Sequence, residues 1–311
     1  MSFILVRHLT QHKKALFLIS NQQTLKEEFK IFYKEHPSKD FEDLVEKFAI
    51  FGGVGWGDID TSKSSYELIE KLILRDYNYI RNDVSDITGG APLYHALLSA
   101  IAMGDGKTHS SYKRAKLEKE VGDKAVTELV ERGIIRVQKP KKEFTSWAEN
   151  ETLDNKLYFT TPFLRFWFAF VSPLFKGIRD GDYTEVKKRW QNREAEFTNL
   201  IFTQLSHELL KEIFAKQDPI NEISSYWDKE AEFAIYAKTK SGKTILGSTK
   251  YTNAKVKKSE LNRLQELAKK ANIEADIFVI ISKKGFSSEL KALKGQNLRL
   301  LTVKNFAKLV E

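Results

Sequence analysis

The stretch that decides the fold is Ser224–Tyr251, SSYWDKEAEFAIYAKTKSGKTILGSTKY. Its alternation of apolar and polar residues predicts two strands joined by a turn that contains glycine. Asp228 and Glu232 lie at the entrance to the first strand, and Lys250 closes the second. A carboxylate on one strand and an acid-x-Lys sequence on its neighbour can hold a divalent metal ion against a phosphate group.

The acid of this acid-x-Lys sequence is missing, because the second strand reads Ser248-Thr249-Lys250. Magnesium prefers carboxylate and water oxygens, and a serine hydroxyl is a poor substitute. Glu232 could supply a carboxylate from the first strand, and Asp228 could assist from its start. Two alternatives follow: a domain that has lost catalysis and needs no cofactor, and a magnesium-dependent nuclease that uses Asp228, Glu232 and Lys250.

The charge of the chain favours a polyanionic partner. The net charge of the 311 residues is +9, with 51 Lys and Arg against 42 Asp and Glu. Residues 107–142 hold eleven basic against five acidic side chains, and residues 238–270 hold ten against two. Local excesses of this kind are typical of nucleic-acid-binding surfaces, although a solvated lysine-rich surface has the same composition.

Other features of the composition exclude several classes of function. The chain has no cysteine, which excludes disulfides, thiolate catalysis and cysteine-built zinc sites. The apolar run near the start, Phe3–Val6, is too short for a signal peptide or a membrane span. We therefore expect a cytoplasmic protein with no membrane partner.

Residues 1–90 are predicted to form a helical region. One helix ends at Phe51-Gly52-Gly53-Val54, where the glycines predict a stop followed by a loop. This cluster is not a phosphate-binding loop, since it lacks a preceding strand and a following Lys-Ser/Thr pair.

Residues 91–156 are predicted to form a winged-helix domain. Three helices are followed by a strand at Ile134–Val137 and a basic turn. The exposed side of the third helix would enter a DNA groove, and basic residues of the wing would contact phosphates. The candidate contacts are Lys124, Thr127, Arg136, Lys139, Lys141 and Lys142. Glu128 and Glu131 on the same helix favour the alternative of a protein-interaction module.

Residues 157–311 are predicted to form an α/β domain that begins with an aromatic helical linker, so that the whole chain belongs to the α+β class. The linker includes Phe163-Leu164-Arg165-Phe166-Trp167, an apolar helix that we expect to join the winged helix to the rest of the domain. Further lysines on or after the second strand of the opening stretch extend the predicted phosphate-binding surface: Lys250, Lys255, Lys257 and Lys258.

The helix ending in Phe-Gly-Gly-Val, the winged helix and the aromatic segment together resemble the carboxy-terminal half of a family of prokaryotic, archaeal-type ATPases. The resemblance covers residues 41–311. It implies a domain of the DUF234 family, with a fold similar to restriction endonucleases of the PD-(D/E)xK type. The amino-terminal P-loop ATPase half has no counterpart here. The nearest match to its phosphate-binding motif is Ser241–Thr244, with Ala237 where glycine is required, so we predict no ATP binding.

The resemblance also indicates what the metal site has lost. The family carries an aspartate where this chain has Ala234 and a glutamate where it has Ser248, and its helix-borne acid has no counterpart at Phe202-Thr203. Only Lys250 remains. The sequence therefore predicts a non-catalytic protein that binds nucleic acid or a partner protein. The alternatives are the nuclease described above and an interaction module of a separately encoded P-loop NTPase.

Overall fold

The computed structural model describes residues 23–57, 59–141 and 153–311. Within these ranges the chain forms a helical layer, a small helix-and-hairpin unit and a five-stranded sheet flanked by helices. The helices are α1 (Leu25–Glu35), α2 (Phe41–Phe51), α3 (Ser65–Leu68), α4 (Tyr77–Thr88), α5 (Pro92–Met103), α6 (Thr108–Ala115), α7 (Lys119–Glu131), α8 (Pro162–Phe166), α9 (Phe175–Arg179), α10 (Thr184–Phe214), α11 (Lys258–Lys270) and α12 (Ser288–Ala292). The strands are β1 (Ile135–Gln138), β2 (Lys156–Phe159), β3 (Ile220–Trp227), β4 (Glu232–Thr239), β5 (Thr244–Lys250), β6 (Ile277–Ser282) and β7 (Leu298–Thr302).

The large sheet has the order β3-β4-β5-β6-β7. The first three strands form an antiparallel meander, and β5, β6 and β7 are parallel. The parallel connection between β5 and β6 runs through α11, as a crossover of this kind requires. Strand β6 is apolar from Ile277 to Ile281, which fits its position between two parallel neighbours. The protein is therefore of mixed α+β class.

Helix α10 is the longest element, with 31 residues, and packs against one face of the sheet. Its central side chains join α2 and the C-terminal 3₁₀ turn (Val303–Leu309) in one core with that face. Helix α11 packs against the other face of the sheet, where Leu246, Leu264 and Ile280 belong to a second, smaller core. Each side chain of β4 and β5 therefore faces either α10 or α11, according to the side of the sheet on which it lies.

The aromatic linker predicted above, which we call the aromatic segment (Pro162–Val171), has all its aromatic side chains buried. Helix α8 continues into a π-helical stretch, Trp167–Val171, all of whose residues are buried. Trp190 of α10 meets Phe166 and Phe170 edge-on, with ring centroids 5.8 and 5.2 Å apart. Edge-to-face packing of this kind adds about 1 kcal/mol per pair to the burial of the rings. The segment thus ties α10 to the helical layer.

Helices α5, α6 and α7 lead into the antiparallel hairpin of β1 and β2, and Lys107 before α6 forms a further bridge to Lys156 in β2. The break between α6 and α7 falls at Lys116, whose left-handed backbone (φ 57°) ends α6. The N-cap of the 3₁₀ turn is Thr302, whose amide donates to the Asn305 side chain one turn later.

Candidate functional site

The carboxyl ends of β5 and β6 meet at one edge of the sheet, because the two strands are parallel. The loops that follow them are hydrogen-bonded to each other. The amide of Val256 donates to the Gly285 carbonyl, and the amide of Ser287 donates to the Val256 carbonyl, both at 2.9 Å. These bonds hold the two loops side by side and bring their side chains to one surface.

The two loops, the ends of their strands and the first residue of α11 carry six lysines, which we call the lysine edge. Lys255 and Lys257 are exposed, and neither forms an ion pair with any residue that the structure describes. Lys283 lies 4.5 Å from the centroid of the Tyr251 ring. The lysine edge consists of Lys250, Lys255, Lys257, Lys258, Lys283 and Lys284.

Helix α2 bounds the lysine edge on one side. Glu42 of α2 pairs with Lys284 at 2.5 Å, and its carbonyl accepts the Tyr251 hydroxyl at 3.0 Å. Burial, together with the acidic residues of α2, raises the pKa of Tyr251. The acidic helix therefore neutralises Lys284 at one margin of the edge, whereas Lys255 and Lys257 have no ion-pair partner among the described residues.

The three residues that the alternative nuclease site would use have three different partners. Lys250 pairs with Glu260 in the first turn of α11, at 3.1 Å. Burial opposes ionisation of Glu260, but Arg263, the Ser248 hydroxyl and Lys250 together lower the pKa of its carboxyl. Two cations already compensate this carboxylate, so it is poorly suited to hold a metal ion.

Asp228 and Glu232 are occupied elsewhere. One oxygen of Asp228 accepts the Tyr226 hydroxyl at 2.5 Å, and the other accepts the amides of Glu230 and Ala231 in the turn before β4. Glu232 accepts the ammonium of Lys156 at 2.6 Å. The structure therefore does not bring Asp228, Glu232 and Lys250 together through shared contacts.

A β-bulge separates the positions further. Ser224 pairs with Tyr236 and Tyr226 pairs with Phe233, so Ala234 and Ile235 together oppose one residue of β3. Such a bulge re-aims side chains. Tyr236 and Phe233 accordingly both lie in the core beside α11, although they are three residues apart. Ala234 lies on the other face of the sheet, beside α10.

On β5 the alternation is regular. Thr249 faces α10, where its hydroxyl lies 2.6 Å from the Thr203 hydroxyl. Ser248 and Lys250 face α11 and Glu260. The positions of the two acids that the family resemblance implies, Ala234 and Ser248, are therefore on opposite faces of the sheet.

Ala234 lines a groove where the hairpin, α10 and β4 meet, which we call the junction groove. Its volume is about 240 Å³. Polar side chains come from β2, α8, α10 and β4, and the loop before α6 closes one end. The polar residues that matter below are Lys156, Arg165, Glu196, Asn199, Thr203 and Glu232.

The predicted DNA contacts of the helix-and-hairpin unit are dispersed. Lys124 and Thr127 are exposed on α7, and the Thr127 hydroxyl donates to the Asp123 carbonyl at 3.0 Å. Arg136 lies 4.8 Å from the centroid of the Tyr158 ring. Lys139 is exposed and Lys141 pairs with Glu222 of β3. Lys142 lies outside the described residues.

Several residues of these sites were not predicted from the sequence. Glu260, Lys156, Lys283 and Lys284 all contribute contacts, yet none lies in the opening stretch. The parallel pairing of β5 and β6 is the signal that could have added Lys283 and Lys284, because loops after parallel neighbours share an edge. Lys156 has no such signal, since its burial depends on the docking of the hairpin.

Two classes of site are absent from the part of the chain that the structure describes. No group of three or more His, Cys, Asp or Glu side chains is arranged to hold a metal ion among residues 23–57, 59–141 and 153–311. Over the same residues, no helix combines the length and apolar character needed to cross a membrane.

Residues 167–263, about a third of the 311 residues, match the model of DUF234, a family described as "Archaea bacterial proteins of unknown function". The match runs from the π-helical stretch through α10 and the meander into α11. The predicted DUF234 resemblance is confirmed for these residues. Comparison with curated proteins and comparison with solved structures find no match.

Proposed function

We propose that this chain is a non-catalytic, cytoplasmic protein that binds nucleic acid, with the lysine edge as its principal contact. The observation that carries the proposal is the joining of two sequence-distant loops into one surface with six lysines. Phosphate contacts by lysine and arginine supply most of the affinity of sequence-independent nucleic-acid binding. Lys255 and Lys257 have no acidic partner among the described residues, so they are the strongest candidates for phosphate contacts.

The helix-and-hairpin unit is proposed to be a winged helix with a secondary role. Three helices followed by a hairpin support this assignment, as does the bridge between Lys107 and Lys156. The hairpin is docked on β3, where the Gln138 side chain donates to the Ser225 carbonyl at 2.9 Å. In this proposal Lys124 on α7 contacts phosphate, whereas the wing mainly covers the edge of the sheet.

The large-sheet domain is proposed to be nuclease-like in fold and degenerate in its site. Support comes from the neighbouring strands β4 and β5, which carry Ala234 and Ser248 at the positions of the two missing acids. Metal-assisted hydrolysis needs convergent oxygen ligands. The side chains at these positions face different sides of the sheet, so binding without cleavage is the function that the geometry favours.

The test is binding of a short fluorescein-labelled DNA duplex, measured by anisotropy at roughly 50 and 200 mM salt. The variant is Lys255→Glu/Lys257→Glu. The control, Lys240→Glu/Lys243→Glu, makes the same change of charge in the turn between β4 and β5, at the opposite edge of the sheet. We expect the first variant to weaken binding at least about tenfold and to reduce the salt slope by about 2, with little effect of the control.

Three results would contradict the proposal. Wild-type protein that fails to bind duplex at low salt would instead favour a partner module for a separately encoded NTPase. Equal losses in the two variants would assign binding to net charge rather than to the lysine edge. Cleavage of plasmid with Mg²⁺ or Mn²⁺ that disappears in Glu232→Ala/Lys250→Ala would establish a nuclease.

A further inference from the structure

Among the residues that the structure describes, the junction groove contains two cationic side chains, and only one of them has an acidic partner. Lys156 pairs with Glu232 at 2.6 Å. Arg165 donates one hydrogen bond, to the Phe197 carbonyl at 2.7 Å, and its guanidinium lies 4.1 Å from the centroid of the Phe197 ring. No carboxylate among the described residues lies within ion-pair distance of it. Within the described part of the chain, Arg165 is thus a cation at the groove without a direct counter-ion.

An uncompensated guanidinium in a partly buried position is costly for a folded protein. Burial lowers the pKa of Arg165 to about 9, which still leaves it charged at neutral pH. The nearest acid that influences it, Glu196, is held by Arg193 through bonds of 2.7 and 3.0 Å. The planar fork of Arg165 therefore keeps donors for an external oxyanion, which guanidinium groups bind in a bidentate manner.

The groove is larger than a lone oxyanion requires. Ile101, Leu157 and Phe159 give it apolar walls, and Asn199 and Thr203 add polar side chains along α10. The mixture of apolar walls with a few polar groups is typical of sites for organic ligands, and the volume of about 240 Å³ limits the enclosed part of such a ligand to a small one. The ligand needs an anionic end for Arg165 and a body that can contact the apolar walls.

The acids around the groove limit the charge of that ligand. Glu232 and Glu196 both line it, and Asp105 lies at the end closed by the loop before α6. These carboxylates repel a polyphosphate more strongly than a single phosphate group. A ligand with one phosphate at Arg165 and hydroxyl or amino donors toward Glu232 satisfies both conditions.

We propose that the junction groove binds a phosphate monoester of mononucleotide size, whose phosphate is held by Arg165. The base would lie against the apolar walls, and donors of the base or sugar would reach Glu232. The site is separate from the lysine edge, so its occupation does not depend on the nucleic-acid binding proposed above. It is also unrelated to a P-loop, because the donor is a side chain of α8 rather than a glycine-rich turn.

Isothermal titration calorimetry with AMP, adenosine and ATP tests the proposal. We expect AMP to bind at least about tenfold more tightly than adenosine, which lacks the oxyanion, and more tightly than ATP. Arg165→Ala should weaken AMP binding at least about tenfold, with a smaller loss in Arg165→Lys, which keeps the charge but not the fork. Lys188→Ala, an exposed change on α10 outside the groove, is the matched control.

The variant Glu196→Gln gives a test that does not remove Arg165. It deletes a negative charge beside the guanidinium, so AMP should bind more tightly than to wild type. The proposal is overturned if wild type does not bind AMP, if adenosine binds equally well, or if folded Arg165→Ala retains wild-type affinity. Should circular dichroism show that Arg165→Ala is unfolded, unchanged or weaker binding to Glu196→Gln overturns it.

Discussion

Removal of Lys156 is the perturbation that best tests how the hairpin is attached to the sheet. Only 7% of this side chain is exposed. Its ammonium pairs with Glu232 at 2.6 Å and lies 4.7 Å from the centroid of the Trp227 ring. The Trp227 indole in turn donates to the Asp154 carbonyl at 2.9 Å, so Lys156 is at the centre of the contact between β2 and β3.

The expected cost can be divided between the stem and the charge of Lys156. Lys156→Ala removes three buried methylene groups, worth about 0.8 kcal/mol each. The ion pair adds about 1 kcal/mol, because Glu232 is 58% exposed and its charge remains solvated. The contact with Trp227 adds about 0.5–1 kcal/mol. We therefore expect Lys156→Ala to lower the free energy of unfolding by about 4 kcal/mol.

The comparison with Lys156→Met separates these contributions. Methionine keeps the buried stem, and burial of a neutral side chain avoids the desolvation of an ammonium group. We expect its cost to stay below about 1 kcal/mol. Urea unfolding followed by tryptophan fluorescence measures both variants, with exposed Lys124→Ala as a control expected to change stability by less than about 0.5 kcal/mol. Equal losses in Lys156→Met and Lys156→Ala would refute the reasoning, because the ion pair would then dominate the packed stem.

Three further predictions concern the sheet and α10. Burial lowers the pKa of His207 to about 4. The stability that the neutral imidazole contributes is therefore complete above its unfolded pKa of about 6.5 and is lost as the pH falls toward 4. The free energy of unfolding should be lower at pH 5 than at pH 7, and His207→Gln should reduce this difference. The variant Ala234→Asp/Ser248→Glu should not gain Mg²⁺-dependent plasmid cleavage, because the two carboxylates would face opposite sides of the sheet. Gly247→Ala should lower the melting temperature and cost about 3 kcal/mol, since its Cβ would overlap the backbone of β6. Gly55→Ala should be nearly neutral, because no atom of the described residues would lie within 4 Å of the new Cβ.

The periodic parts of the fold could be predicted from the sequence, and the parts that depend on docking could not. Strands β4 to β7 carry the apolar alternation or apolar runs that indicate strands. Strand β3, INEISSYW, is polar at its start, and only its second half is buried. That half is covered by the hairpin, through the contact of Gln138 with Ser225. Its strand character therefore depends on a contact between distant segments.

Helix α10 shows the same limit. The sequence predicts its second half, from Glu196, but the helix begins at Thr184. The first half is highly charged, and its apolar contribution is confined to Val186 and Trp190, both buried. Trp190 packs on the aromatic segment, which lies in the preceding helices. A charged stretch with two apolar anchors has weak periodicity, so the tertiary contact rather than the local pattern extends the helix.

For the candidate site, the sequence predicts the enrichment in lysine but not the arrangement of the side chains. Lysine enrichment after β5 is visible in the sequence, and the contribution of Lys283 and Lys284 requires the parallel order of the strands. The face of the sheet on which each strand residue lies is harder to predict than the lysine enrichment. In a regular strand, residues two apart share a face, which is the basis for expecting Glu232 near the position of Ala234. Both residues do line the junction groove.

The bulge at Ala234 and Ile235 explains why that regular rule does not assemble a metal site. It leaves β4 with Ala234 beside α10, while the alternation of β5 directs Ser248 and Lys250 toward α11. A single residue inserted in β4 therefore determines which side chains of β4 and β5 share a face of the sheet. Sequence patterns determine a one-residue change of register least well. Charged side chains are therefore divided between the two faces of the sheet. Lys250 and Glu260 form an ion pair on the α11 face. Lys156 and Arg165 line the junction groove on the α10 face. For the function proposed above, the absence of acids at Ala234 and Ser248 and the separation of the two faces act in the same direction, because each removes the paired carboxylates that a catalytic metal ion would need and leaves the cations in place.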